Sequence, residues 1–202
     1  MTFFGKLTVP LAWTGLVIAG FGSLLSYEAT PGSSDKLAIV AWPSSSALNK
    51  ANGEPTIVVF AHPDCPCTRA SLDGLADLMA RKNKYSARLI VDIVEPRGLK
   101  VDLQKSSIAQ SARRIKGAEI VVDPDGAEAR RFGAETSGHT VVFSGKGQFL
   151  FSGGLTTFRG HYGPSAGLDA VSDILDTGQS TILSAPVYGC SLLGSAGKGV
   201  ER

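Results

Sequence analysis

The sequence predicts an α/β domain, a mixed sheet with helices on both faces, preceded by an N-terminal transmembrane helix. Three observations lead there. From Leu7 to Tyr27 no residue is charged. Beyond that run, short β-branched stretches alternate with helical patterns, the mark of parallel crossovers. Later, two strand-like segments flank Ser144-Gly145-Lys146-Gly147, which reads as a hairpin and adds an antiparallel pair.

Composition narrows the function. Of 202 residues, 43% are hydrophobic and 19% charged, too apolar for a disordered chain. With 20 Lys plus Arg against 18 Asp plus Glu, the net charge is +2, too balanced for an electrostatic nucleic-acid binder. Three cysteines exclude a disulfide-rich miniprotein. No repeat recurs that would suggest a solenoid.

Residues 1–27 form the expected anchor. At about 1.5 Å per residue the uncharged run just crosses a hydrocarbon core of roughly 30 Å. No small-x-small cleavage site follows in Ser23-Leu24-Leu25-Ser26-Tyr27-Glu28-Ala29, which favours an uncleaved signal anchor over a removed peptide. Lys6 precedes the run, and Glu28 and Asp35 follow it. The positive side stays in the cytoplasm, so the globular part should be extracytoplasmic, periplasmic in a bacterium. Disulfides are permitted there. Residues 28–36, with Pro31, Gly32, Ser33 and Ser34, read as a linker.

The folded domain should cover 37–176. Leu37–Trp42 is a candidate strand, and Pro55–His62, with Ile57-Val58-Val59-Phe60, a strand buried on both faces. Leu72, Leu75, Ala76 and Met79 share one helix face downstream of Pro66. Leu89–Val94 is a second buried strand, 101–115 a weaker helix, and Glu119–Val122 a short strand closed by Asp123-Pro124-Asp125-Gly126. Ala127–Phe132 is a short helix. Thr140–Phe143 and Gln148–Ser152 form the hairpin, and Ala166–Leu175 the last helix. Residues 177–202 show no period and read as an extended tail. The basic residues between Arg97 and Lys116 read as a solvated face.

The chemistry centres on Cys65-Pro66-Cys67, where a buried strand hands over to a helix. A thiol there faces unpaired N–H groups and the positive end of the helix dipole, and both favour thiolate. On a regular helix two residues with one between them diverge by about 200°. Closing a Cys65–Cys67 bond therefore needs Cys65 outside the helix, or strain, and the pair would be labile. The competing reading is simple packing of two small residues. The third thiol, Cys190, follows Tyr188-Gly189 in the tail. It is either a bystander or a group folded back over the site. No Gly-x-Ser-x-Gly, phosphate loop or dinucleotide fingerprint occurs.

The stretch Val58 to Thr68, Asp123-Pro124-Asp125-Gly126 with Phe132-Gly133-Ala134, and the hairpin Thr140-Val141-Val142-Phe143 with Gly145-Lys146-Gly147-Gln148 together resemble the thioredoxin-like superfamily over about 37–176. The likeness is strongest to its membrane-anchored reductase and peroxiredoxin-like branches. Cys-Pro-Cys-Thr, Ser137-Gly138-His139 and Tyr188-Gly189-Cys190 look most like RedB-type thioredoxin-like proteins. Two departures stand out: one residue rather than two between the cysteines, and His139 where the family usually has a cis-proline. The resemblance implies that His139 lies beside Cys65.

The leading expectation is a membrane-tethered, extracytoplasmic thiol–disulfide oxidoreductase. Asp64 or Cys65 could cap the helix; Cys65, preferred as the cap and expected to be the more exposed of the pair, is the nucleophile. Cys67 or Cys190 resolves the mixed disulfide, and His139 tunes thiolate protonation. Its partners would be thiols or disulfides of exported proteins, with the membrane as tether, and no cofactor. The alternative is a copper metallochaperone, similar to Sco-type proteins, holding the metal through Cys65, Cys67 and His139. For His62 and His161 an ordinary hydrogen-bonded or surface role is expected.

Overall fold

The structure, a computed structural model, describes residues 3–33, 40–82, 86–96, 98 and 100–193. It divides into two units, Met1–Thr30 and Pro31–Arg202. The first is helix α1, Phe3–Ala29, which continues through Pro10. Its segment Thr8–Ala29 has a mean hydropathy of 1.6 and buries none of its surface. By length and composition it can cross a membrane.

The second unit is built on a six-stranded sheet. Its elements are β1 (Thr56–Ala61), α2 (Pro66–Arg81), β2 (Arg88–Glu95), α3 (Ser107–Arg113), β3 (Glu119–Pro124), α4 (Ala127–Arg131), β4 (His139–Phe143), β5 (Phe149–Gly153), α5 (Ala166–Thr177) and β6 (Ser184–Ala185). The strand order is β3-β2-β1-β4-β5-β6. β1, β2 and β3 run parallel, β4 is antiparallel to β1, and β5 is antiparallel to β4. Every residue of β1 is buried, as its unbroken apolar run requires of a central strand with helices on both faces.

Strand alternation splits the core in two. On one face Ile57 and Val59 pack with Leu72, Leu75, Ile108, Val171 and Ile174. On the other, Val58 and Phe60 pack with Phe132, Val141, Phe143 and Leu192. Phe132 anchors that second face, with ring centroids 5.1 Å from Trp42, 5.4 Å from Phe60 and 5.9 Å from Phe143.

Three elements differ from expectation. The helix expected over 101–115 is confined to Ser107–Arg113, because Asp102 holds a turn through the Gln104 and Lys105 amides and Ser106 caps Ala109. Of the strand expected at Leu37–Trp42, residues 37–39 lie outside the described residues, and Ala41 makes an isolated bridge to Gln148. Of the expected tail, residues 194–202 lie outside the described residues, and residues 178–193 are not a free extension. Ser184–Ala185 adds to β5, and Thr136 and Ser191 form an antiparallel bridge. Two-residue pairings carry no periodic signal, so sequence patterning could not reveal them.

Candidate functional site

β1 ends at Ala61, and a turn over His62-Pro63-Asp64 leads into α2, with the Cys65 amide donating to the His62 carbonyl at 3.2 Å. Cys65 is the N-cap of α2, extended at φ −82° and ψ 108°, with Pro66 opening the helix. It thus stands outside the helix, as a short Cys-x-Cys spacing demands.

The expectation that Cys65 is the more exposed thiol is reversed. Cys65 is fully buried, at 0% exposure, while Cys67 is half-buried. The reason is the returning tail. Cys190 Sγ lies 3.3 Å from Cys65 Sγ, and all three thiols are free. The Ser137 amide donates to the Cys190 carbonyl at 2.8 Å, and the Leu192 amide to the Glu135 carbonyl at 2.8 Å. Arg159 donates to the Gly189 carbonyl, and Tyr188 packs on Phe158. Only glycine fits at 189, because a Cβ there would lie 1.9 Å from the Ser137 carbonyl oxygen.

Two hydroxyls missing from the expected site are linked there: Thr68 is hydrogen-bonded to the Cys65 sulfur, and Ser137 to Thr68. Ser137 Oγ accepts the His62 amide at 2.7 Å and lies 2.6 Å from Thr68 Oγ1. Either hydroxyl can donate to the other; with Ser137 as the donor, the Thr68 proton faces Cys65, to which Thr68 is also hydrogen-bonded. Gly138, at φ 90°, turns the chain so that its amide reaches the Phe60 carbonyl at 2.8 Å. Ser137-Gly138 was visible as part of a motif with His139, yet nothing in the sequence told its serine from its histidine as the group that meets the Thr68 hydroxyl.

Acidity differs sharply among the thiols. Burial pushes the Cys65 thiol up, but the Thr68 hydroxyl and the backbone N–H groups of Cys190 and Thr68 outweigh it, and the pKa falls from 9.0 to about 7. Burial, then the charge on Cys65, holds Cys67 above its ordinary value. Cys190 is pushed up to about 12 by burial and by its hydrogen bond to Cys65. The first proton to leave this trio is therefore that of Cys65.

His139 takes another position. It opens β4 opposite Phe60, on the face away from α2. Its Nε2 lies 2.7 Å from Ser152 Oγ, and burial lowers its pKa to about 4, so the ring is neutral. The groups that most shift Cys65 do not include it. His62 Nδ1 accepts the Asp64 amide, and His161 is an exposed residue beside Phe158. Among the described residues, no group of three or more His, Cys, Asp or Glu is disposed to hold a metal ion.

No family model matches the chain, and no curated protein matches it. Solved structures do. A hypothetical protein from Sinorhizobium meliloti superposes with a TM-score of 0.62 at 14% identity, over 81% of this chain and 98% of that one. An uncharacterized conserved protein from Geobacillus kaustophilus follows at 0.57 and 12% identity, over 85% and 92%. With β1-α2-β2-α3-β3 parallel and the β4–β5 hairpin closed by α5, the fold is thioredoxin-like. A secreted disulfide oxidoreductase from Mycobacterium tuberculosis, described as homologous to E. coli DsbE, also superposes, with a TM-score of 0.43 and 15% identity over 62% of this chain and 82% of that one.

Proposed function

We propose that this chain is a thiol–disulfide oxidoreductase, tethered by α1 with its globular unit outside the cytoplasm, in which Cys65 is the nucleophile and Cys190 its disulfide partner. The observation that carries this reading is the 3.3 Å contact between an acidified cap thiol and the tail thiol. That separation needs only about 1.3 Å of closure to reach a disulfide bond. Cys67, less acidic and on the first turn of α2, is the secondary thiol of the site.

The reaction balances without a cofactor. The Cys65 thiolate attacks one sulfur of a partner's disulfide, the other sulfur leaves as thiolate, and a mixed disulfide forms. Cys190 then gives up its proton and attacks Cys65 Sγ, and the partner's second sulfur departs. One disulfide of an exported protein becomes two thiols while the chain's two thiols become one disulfide. The reverse direction oxidises a dithiol. The likeness to RedB-type proteins gains support from the meeting of Ser137-Gly138 and Tyr188-Gly189-Cys190 across one hydrogen bond. Copper delivery through Cys65, Cys67 and His139 gains none, since the imidazole bonds to Ser152.

The test is oxidation of the full chain in detergent micelles with glutathione disulfide, followed by alkylation, proteolysis and mass spectrometry. A Cys65–Cys190 cross-linked peptide is expected, and Cys65→Ser should abolish disulfide exchange. Unchanged turnover in Cys65→Ser would remove Cys65 as the nucleophile. A cross-link joining only Cys65 and Cys67 would remove Cys190.

A further inference from the structure

Building on the exchange chemistry above, we propose that residues 188–193 are a built-in stand-in for substrate. They occupy a main-chain docking edge at Glu135–Ser137, which a cysteine-bearing extended segment of a partner protein takes over by displacing them.

Access is the first argument. A sulfur at 0% exposure cannot meet an external disulfide, because attack needs approach along the S–S axis. The group lying against it is Cys190, so the tail must leave before any partner reacts.

The second argument is how the tail is held. Its two edge bonds, Ser137 N–H to the Cys190 carbonyl and Leu192 N–H to the Glu135 carbonyl, use backbone groups alone. Any extended chain can make them, which is recognition by strand addition. In this register, the residue whose carbonyl accepts the Ser137 amide has its sulfur at Cys65.

Side-chain positions then define the partner. The residue before the cysteine must be glycine, because a Cβ at 189 would collide with the Ser137 carbonyl oxygen. Two residues after the cysteine, Leu192 is fully buried against the Phe60, Phe132 and Phe143 cluster. A displacing segment must refill that apolar seat. The class is therefore an extended segment reading Gly-Cys-x-apolar.

The tail can move without being lost. Upstream, Ser184–Ala185 stays paired with β5, and the Gly32 amide holds the Val187 carbonyl at 2.8 Å. Once the mixed disulfide has formed on Cys65, the returning tail competes for the same edge, expels the partner segment and brings Cys190 to the sulfur it must attack.

The test uses the full chain in micelles with Cys67→Ser and Cys190→Ser together, which leaves Cys65 as the sole thiol and stops at the mixed disulfide. Two probes report on the same chromophore. One is the tail-copy peptide Val-Tyr-Gly-Cys-Ser-Leu-Leu as its thionitrobenzoate disulfide, and the other is the small disulfide 5,5'-dithiobis(2-nitrobenzoate). Gly189→Ala, which ejects the tail without touching the edge, should speed the peptide by about tenfold, the worth of two backbone hydrogen bonds. The small probe should gain less. Changing the peptide's Gly to Ala, or its first Leu to Asn, should cancel the peptide's advantage. Arg159→Gln loosens the same tail and should shift the rates in the same direction, with faster amide exchange at Ser137 and Leu192. Peptide rates unchanged by Gly189→Ala, or equal for the Gly and Ala peptides, would overturn the docking edge. No chromophore release from either probe would instead overturn Cys65 as the nucleophile, and the docking proposal with it.

Discussion

Replacing Thr68 by Val keeps the side chain's shape and deletes the hydroxyl that faces Cys65. A hydrogen bond to a charged group contributes about 1.5–3 kcal/mol, and each pH unit of midpoint equals about 1.4 kcal/mol. The Cys65 midpoint, now about 7, should therefore rise by about 1–2 pH units in Thr68→Val. At a rise of about 1.5 the thiolate fraction at pH 7 falls from roughly half to roughly 3%, about 16-fold. The more basic thiolate is also the better nucleophile, by about fivefold at a Brønsted slope near 0.45. The net loss at pH 7 is only about threefold, and above pH 10 the variant should be about fivefold faster than the parent. A crossing pair of pH–rate profiles against a small disulfide, with thiolate absorbance giving the midpoint, reads both numbers. Thr68→Ser, which keeps the hydroxyl, should follow the parent. Superimposable profiles for Thr68→Val and the parent would refute the role given to this hydroxyl.

Four further outcomes are expected. Asp92, buried on β2 with neither carboxylate oxygen hydrogen-bonded among the described residues, is pushed from 3.8 up to about 8 by burial and then by Asp123 and Glu128. Its folded pKa is raised, so the unfolded chain releases the proton first and stability falls as pH climbs from about 4 to about 8. The decline has a ceiling of about 6 kcal/mol. Urea unfolding of Asp92→Asn should lose that slope, and parallel curves would contradict it. Phe132→Ala, at the hub of the aromatic cluster, should cost about 3–5 kcal/mol in the same assay. Deleting residues 1–30 should move the protein from the membrane fraction to the aqueous fraction, and retention in the membrane would remove α1 as the tether. Cys65→Ser should lower the Cys190 midpoint from about 12 towards, though not to, the ordinary thiol value, because burial remains. A midpoint left in place by thiolate absorbance would show that Cys65 contributes nothing to it.

The scaffold was legible because its signals are local. The β-branched run of β1, the Pro66 helix start, the single apolar face of α2 and the glycine hairpin each sit within a few residues. The position of Cys65 as a cap outside the helix followed from the same short stretch. What escaped was long-range pairing. Cys65 and Cys190 are 125 residues apart in the chain, and their contact depends on two backbone bonds and a close glycine approach that no periodicity encodes. His139 shows a subtler limit. The motif placed its backbone near the site, but the strand's two-residue alternation sends its side chain to the Phe60 face, while Ser137, on the other side of the positive-φ Gly138, meets the Thr68 hydroxyl. Asp92 was hidden differently, as one polar residue inside Leu89-Ile90-Val91-Asp92-Ile93-Val94, a run whose apolar neighbours alone announce a buried strand.

The acidities of the three thiols set an order of events. While Cys65 is a thiolate, its charge and its hydrogen bonds oppose ionisation of both Cys67 and Cys190, on top of the burial that raises each of them. Only one nucleophile is then armed, and the resolving thiol stays protonated. Forming a mixed disulfide neutralises Cys65 and removes those influences together. In the proposed reaction Cys190 therefore becomes easier to ionise once Cys65 holds something to be resolved, although its burial remains. On that reading, the contact that covers Cys65 in the resting chain also restrains Cys190 until a partner is captured. Cys67 feels both the charge of Cys65 and a hydrogen bond to it, so the pairing of Cys65 with the tail rests on the 3.3 Å separation of the Cys65 and Cys190 sulfurs.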